Sequence, residues 1–371
     1  MFPWRSSAPY SFVEELVEIL HPICRSVTVV TGRPHGIKDE GHARILSPGL
    51  RMHYVSTSDC RALSSILWIL KSLYFQLAAG VTLLRERKNL DILLFLAHPY
   101  ESLPMICARI AGIRTIEVVT RGESSRDSIL GRLAWFSERV SFSMCNTIAV
   151  EANSLRSTSS VKDHNDKVVG EAARYVDDGW INPRVPVKER KKSVAYIGRF
   201  RKEKGVIEFV RSIPAMVRLA DTDVVIIGTG DLDDEVQRLL SGLTPDIRLR
   251  VRYIGWADRE SLAQTLRSIT VLVIPSQSEG LPTIALQAMA SGAIVLATKT
   301  GGLNDLIIDG VNGFFIANRS ADCIAEGVIR VFSTPNLSNV SELSRQTILD
   351  KYLLGHARQR YRALIERTLD R

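Results

Sequence analysis

Cysteine is scarce in this sequence, and its spacing builds nothing. Cys24, Cys60, Cys107, Cys145 and Cys323 are five in 371 residues, scattered, odd in number and without a C-x-x-C pair. That argues against a disulfide framework or a zinc site, and for free thiols in a reducing compartment. The seven histidines show no ligand spacing either. Phe-Pro-Trp-Arg follows Met1 where a signal peptide would have its apolar segment, so none is expected. Long hydrophobic runs are also lacking. The nearest approach to a membrane span, Leu63 to Leu84, is interrupted by Ser64, Ser65, Lys71, Ser72 and Gln76. It reads as a helix packed on a sheet. Charge of one sign is only in modest excess, +8 overall, and is spread along the chain. Such a balance favours phosphate-bearing partners, but no nucleic-acid-binding motif accompanies it, so nucleic acid is not expected as a partner. The run VKERKK (Val187 to Lys192) reads as a solvated charge cluster.

What is present is an ordinary globular composition, 45% hydrophobic and 24% charged, in a chain long enough for two domains. Two stretches alternate apolar strands with helical segments, which argues for parallel sheets covered by helices. The first holds a helix over Phe12–Leu20 and strands over Ser26–Thr31, Arg51–Val55, Asp91–Leu96, Thr115–Thr120 and Asn146–Val150. Helices are expected over 63–86, 102–111 and 129–143. A doubly wound domain normally opens with a strand, yet here a helix comes first. The expectation is that the first strand of this domain is missing and that the true start lies upstream. Between Asp177 and Lys192 the pattern lapses into DDGWINPRVPVKERKK, which reads as a linker. The second stretch has strands over Ser193–Ile197, Thr222–Ile227, Arg250–Ile254, Thr270–Ile274 and Ala293–Thr298, and the chain closes with a helix from about Asp350 to Thr368.

Open parallel sheets bind ligands beyond the carboxyl ends of their strands. Four such ends carry informative residues: GRFRKEKG (Gly198 to Gly205), GTGD (Gly228 to Asp231), PSQSEGLPT (Pro275 to Thr283) and KTGG (Lys299 to Gly302). Together they read as one site for a diphosphate-bearing ligand. Arg199 and Lys204 supply positive charge, and Gly228 and Gly230 let backbone approach a ligand closely. The helix after Pro282 offers free N–H groups and a positive dipole end. Asp231, ahead of a helix, reads as an N-cap rather than as part of a metal-binding D-x-D pair. The apolar stretch that follows contains Thr283 and Gln287, four apart and hence on one helix face.

The ordered set VAYIGRFRKEKGV, VIIGTGD, VRYIGWADRESL, VLVIPSQSEGLPTIALQAMASGAIVLAT and GGLNDLIIDGVNGFFI, over about residues 194–316, resembles glycosyltransferase family 4. Asp177, Ile181 and Pro183 are similar to that family's interdomain segment, and KYLLGHARQRYRALIERTL is similar to its closing helix. The resemblance implies an α/β chain of the GT-B fold, with two Rossmann-like domains and an interdomain cleft. Its expected parts are an acceptor-binding domain at 1–178 and a linker at 179–192. A nucleotide-sugar-binding domain at 193–350 and a helix at 351–371 that crosses back to the first domain complete it.

The resemblance also implies residue roles. Glu279 would face the sugar, with the backbone N–H groups of Gly280 and Leu281 on sugar hydroxyls. Gln287 stands where the family has a second Glu on the ribose; Gln can still hydrogen-bond a diol but brings no charge. Arg199 and Lys204 would grip the diphosphate and replace a metal, so no metal and no cofactor are expected, the nucleotide-sugar being a substrate. Gly198, Gly228, Gly230, Ile254, Gly255 and Thr283 would complete the donor site. On the acceptor side Arg121 takes the place of a histidine found in many relatives. His98, in LAHPYES, either positions the acceptor or acts as a base, or else merely caps a strand end.

The implied activity is a retaining transfer of a hexose-type sugar from a UDP- or GDP-sugar to a glycan, lipid or polyprenol-linked acceptor, in glycan assembly at the cell envelope. The alternatives are a non-catalytic degenerate relative, a nucleotide-sugar epimerase or an inverting transferase. Arg61, Lys71, Arg85, Arg87 and Lys88 accompany the long apolar helix, so the expected location is cytoplasmic, with peripheral contact to an anionic surface on the inner face of the plasma membrane.

Overall fold

The computed structural model describes residues 15–32, 50–55, 65–96, 102–120, 129–172, 174–182 and 185–371. The chain forms two compact units. Unit 1 takes Met1–Glu151, Arg156–Ala173 and Ala357–Arg371, and unit 2 takes Ala152–Leu155 and Arg174–His356.

In unit 1 residues 15–20 are helical (α1). Strand β1 (Val27–Gly32) then pairs in parallel with β2 (Leu50–Val55). Helix α2 (Ser65–Glu86) leads to β3 (Ile92–Leu96), α3 (Ser102–Ile110), β4 (Arg114–Val119), α4 (Ile129–Met144) and β5 (Thr147–Val150). A short helix, α5 (Ser159–Lys162), precedes β6 (Val168–Glu171). Strands β3-β4-β5-β6 form a parallel four-stranded sheet in sequence order, separate from the β1-β2 pair among the described residues. The sequence pattern does not announce β6, which is four residues long and includes Gly170. The cysteines Cys24, Cys107, Cys145 and Cys323 are free thiols. Burial pushes the Cys145 thiol up to about 12, which keeps it protonated and inert. Cys60 lies outside the described residues. No helix of the described residues is long and apolar enough to cross a membrane.

The chain enters unit 2 through α6 (Asp178–Ile181), capped by the Asp177 carboxylate, which accepts from the Gly179 N–H at 2.9 Å. Six parallel strands follow: β7 (Ser193–Ile197), β8 (Asp223–Ile227), β9 (Val251–Ile254), β10 (Val271–Ile274), β11 (Ile294–Thr298) and β12 (Phe314–Ile316). Their order in the sheet is β12-β11-β10-β7-β8-β9. Helices α7 (Val206–Ala220), α8 (Asp233–Ser241), α9 (Pro245–Arg248), α10 (Arg259–Ser268), α11 (Thr283–Ala290), α12 (Leu303–Leu306), α13 (Ala321–Phe332) and α14 (Leu337–Lys351) connect and cover them.

Side chains alternate across a pleated strand, so a sheet buried on both faces carries two apolar sets in every strand. One face takes Val194, Tyr196, Val224, Ile226, Val271, Val273, Ile294 and Leu296, packed with Phe209 and Ile213 of α7 and Val328 of α13. The other takes Ala195, Val225, Leu272, Ile274, Val295 and Ala297, packed with Leu266 of α10 and Leu286 and Met289 of α11.

Three features depart from the sequence pattern. The closing helix, expected from about Asp350, begins at Leu354 as α15 (Leu354–Leu369), and the sequence pattern gives no sign of α14, which ends at Lys351 just before the buried Tyr352. Residues from Ala357 onward belong to unit 1, where Tyr361, Leu364 and Thr368 bury one stripe and the Thr368 hydroxyl meets that of Thr147 at 3.1 Å. The stretch expected as a linker over 179–192 is docked on unit 2: Trp180, Ile181 and Val187 are buried there. Nor is VKERKK wholly solvated, because the Arg190 guanidinium reaches back into unit 2. It donates to the carbonyls of Val185 (2.7 Å), Leu266 (3.2 Å), Ile269 (2.7 Å) and Ser291. A planar five-donor fork can serve several carbonyls at once, which an ammonium cannot. Arg190→Met should therefore leave several carbonyls without that partner and lower the stability of unit 2 by about 2 kcal/mol. Urea unfolding followed by tryptophan fluorescence measures this.

Candidate active site

The order of strands in unit 2 reverses between β7 and β10, which lie side by side although β8 and β9 separate them in sequence. Connections from two adjacent strands then leave in opposite directions, and a crevice opens at their carboxyl ends. The loops that leave there are 198–205, after β7, and 275–282, after β10. They carry Arg199 and Lys204 on one side and Glu279 on the other.

These loops meet closely. The Lys204 ammonium lies 2.7 Å from Oε1 of Glu279, and the Ser276 hydroxyl donates to the same oxygen at 2.6 Å. The pair is largely withdrawn from water, the Lys204 side chain 21% and the Glu279 side chain 11% exposed. The Gln277 N–H donates to the Glu203 carbonyl at 2.7 Å. Gly205 has φ +73°, and a Cβ there would stand 2.3 Å from the Pro275 carbonyl oxygen. Only glycine permits both the backbone conformation and the approach. On the other flank the Gly302 N–H donates to the Gly280 carbonyl at 2.6 Å. A Cβ on Gly301 (φ +48°) would lie 1.8 Å from the Glu279 carbonyl oxygen. Glu279 is thus held from its side chain and from the backbone on both sides.

Arg199, in the loop that also carries Lys204, has an exposed side chain. Its carbonyl accepts from the Tyr196 hydroxyl at 2.9 Å. Burial, with the carboxylates of Glu279 and Glu203 nearby, pushes the Tyr196 phenol well above its ordinary value, so it remains a donor. Gly228 and Gly230 allow close approach of backbone to backbone within the protein. A Cβ on Gly228 (φ +153°) would lie 1.9 Å from the Gly198 carbonyl oxygen, and one on Gly230 would lie 2.5 Å from that of Phe200. The two glycines let the β8 loop pack against the β7 loop and so position Gly198 and Arg199. Asp231 does not cap α8. The helix begins at Asp233, whose side chain accepts from the Gly230 N–H at 3.1 Å, while Asp231 faces Arg201 at 3.7 Å.

Helix α11 explains its mixed composition. Ala285, Leu286, Ala288, Met289 and Ala290 are buried, and only Thr283, Ile284 and Gln287 are half-buried. Those three share the side left open, with Leu281 buried beneath the entrance. Pro282 is the residue before the helix; its carbonyl accepts from the N–H groups of Ala285 and Leu286. Ile254 ends β9, where its carbonyl accepts from the Gly228 N–H at 3.1 Å, and Gly255 follows against the Thr229 methyl. The structure therefore brings Gly198, Arg199, Lys204, Gly228, Gly230, Ile254, Gly255, Glu279, Gly280, Leu281, Thr283 and Gln287 to the carboxyl edge of one sheet. His98 and Arg121 lie outside the described residues. Sequence reasoning passed over Ser276, 2% exposed, because a lone serine carries no motif.

Residues 180–346 match the model of the family glycosyl transferases group 1. The match lies within unit 2. An uncharacterized glycosyltransferase of Methanocaldococcus jannaschii is 33% identical over 149 residues, 40% of this chain and 38% of that protein. The chain thus matches well under half the length of that curated relative. The N-acetyl-alpha-D-glucosaminyl L-malate synthase of Bacillus anthracis is 23% identical over 292 residues, 74% of this chain and 74% of that protein. The structure of Anabaena HepE in complex with UDP aligns with a TM-score of 0.74 at 13% identity, over 96% of this chain and 95% of that one. That likeness concerns the fold, which is GT-B: two α/β units with parallel sheets. In unit 2, Gly301→Ala would push a methyl group into the Glu279 carbonyl. It should lower stability by about 2–4 kcal/mol, read as a drop in the thermal midpoint.

Proposed function

We propose that this protein is a retaining, metal-independent glycosyltransferase that moves a hexose-type sugar from a UDP- or GDP-sugar to a glycan or lipid-linked acceptor. The observation that carries the reading is the Lys204–Glu279 pair at the switch point of unit 2, 2.7 Å apart, with Arg199 on the same loop as Lys204. An ammonium has three donors. One on Glu279 leaves others for a diphosphate. As the bond between the anomeric carbon and the phosphate oxygen breaks, negative charge gathers on that oxygen. Fixed cations there stabilise the transition state more than the ground state.

The acceptor hydroxyl attacks the anomeric carbon from the face the diphosphate leaves. Its proton passes to the departing phosphate oxygen, and the products are a glycoside and a nucleoside diphosphate. Glu279 orients the sugar, and Gln287 with Thr283 meets the ribose. The UDP bound by HepE supports the donor class.

A thermal-shift panel of UDP-, GDP- and ADP-sugars tests this. A donor at about 100 times its dissociation constant adds about 2.7 kcal/mol of stability. One base should stabilise the protein, and the effect should vanish in the Arg199→Ala, Lys204→Ala double variant. No shift with any donor in the folded protein would overturn the reading.

The partner reading extends to an anionic lipid surface met by unit 1. Helix α2 exposes Leu73, Tyr74, Leu77, Val81 and Leu84, an apolar stripe that ends at the exposed Arg85, Arg87 and Lys88. Helix α4 exposes Ile129, Leu133 and Phe136 beside Arg132. At about 1 kcal/mol per basic residue, such a surface binds anionic vesicles in a salt-sensitive manner. Flotation with phosphatidylglycerol vesicles should recover the protein at low salt, and Leu77→Glu should reduce recovery. Equal recovery with neutral vesicles, or none with either, would remove the lipid surface.

A further inference from the structure

The residues that touch a donor are only as well aligned as the two loops that carry them. Those loops come from different strands, and one side chain outside the motifs joins them. Arg319 follows β12, in the turn that starts α13. Its own backbone is fixed on the C-terminal side: the Asn318 side chain accepts from the Ser320 N–H at 2.8 Å, and the Ser320 hydroxyl caps α13 by accepting from the Cys323 N–H at 3.2 Å. From this base the guanidinium reaches both loops. Nε donates to the Pro275 carbonyl at 2.9 Å, at the point where the chain leaves β10 four residues before Glu279. Nη2 donates to the Lys202 carbonyl at 2.7 Å, two residues before Lys204. Nη1 reaches the Gln277 side-chain oxygen at 3.3 Å, and the Glu208 carboxylate lies 3.5 Å from Nη2. The side chain is 25% exposed.

We infer that Arg319 is a positioning residue, whose guanidinium holds the loop of Lys204 and the loop of Glu279 in register. The planar fork fits the task because its donors point to fixed, divergent directions. A lysine at the same place has one compact head and cannot satisfy both carbonyls along with Gln277. The direct loop-to-loop bond from the Gln277 N–H to the Glu203 carbonyl joins residues just beyond the two anchor points, toward Glu279 and Lys204. Loss of the anchors leaves that bond, the close approach of Gly205 to Pro275 and the Lys204–Glu279 pair itself to set the separation of the two loops. Positional drift of about 1 Å at reacting groups lowers rates by up to about a hundredfold, so the effect should appear in turnover. The kinetic consequence rests on the transferase reading above; the coupling of the two loops does not.

The test is Arg319→Lys in the full chain, with two readouts. In amide hydrogen exchange, segments 198–205 and 275–283 should both exchange faster, while α7 and β10 keep their protection. In transfer assays kcat should fall about tenfold or more, with donor KM changed less than about threefold. Faster exchange in one loop only, or in neither, would overturn the inference, as would an unchanged kcat with both loops loosened. Should the lysine variant not fold, Gln277→Ala removes one outer contact and is read the same way: a joint rise in exchange supports the coupling, and no rise overturns it. Joint loosening in a protein whose wild type transfers no sugar would keep the coupling and sink the transferase reading instead.

Discussion

The carboxyl edge of unit 2 depends on how closely two stretches of backbone approach each other. Between Gly205 and the Pro275 carbonyl there is no room for a single methyl group. The same holds between Gly301 and the Glu279 carbonyl, and between Gly228 and the Gly198 carbonyl. These three contacts draw the loops after β7, β8, β10 and β11 into one cluster. Hydrogen bonds from Gln277 to Glu203 and from Gly302 to Gly280 then fix their register. The glycines do not flex here; they remove bulk so that backbone can meet backbone.

A charged pair withdrawn from water is weak evidence for stability. Desolvation of two ions offsets most of their attraction, and well-packed apolar residues often do as well. Lys204 and Glu279 therefore make more sense as groups that a ligand will use than as a staple. Ser276 and the surrounding backbone limit the disorder that the Glu279 side chain would otherwise have. The stability of unit 2 comes instead from the two apolar faces of its sheet, filled by alternate residues of each strand. Arg190 adds to this by tying the entering segment to a carbonyl of α10 and to that of Ser291, just after α11.

The two units differ in how their strands are joined. In unit 2 six strands form one sheet with a reversal in its middle, and the reversal creates the crevice. In unit 1 the described strands fall into a pair and a separate set of four. Unit 1 also turns a long apolar stripe of α2 outward, which a solvated helix in a finished monomer would ordinarily hide.

Much of unit 2 was legible in the sequence because its signals are local. A buried parallel strand reads as a short apolar run, and a strand end reads as a glycine or proline, so β7, β8, β10 and β11 follow directly from the residues. The ordered strand ends also named Arg199 and Lys204, and the family resemblance added Glu279. Where signals are weak, the sequence was silent: β6 and β12 are four and three residues long, and α14 has a polar run where a stripe should be. Composition made Asp177–Lys192 look like a linker, since nothing local reveals that Trp180 and Ile181 find a core to enter or that Arg190 finds carbonyls. What only the tertiary structure decided is which residues stand together. The pairing of Lys204 with Glu279, 75 positions apart, and the reach of Arg319 to both loops are set by strand order, and no window of sequence contains strand order.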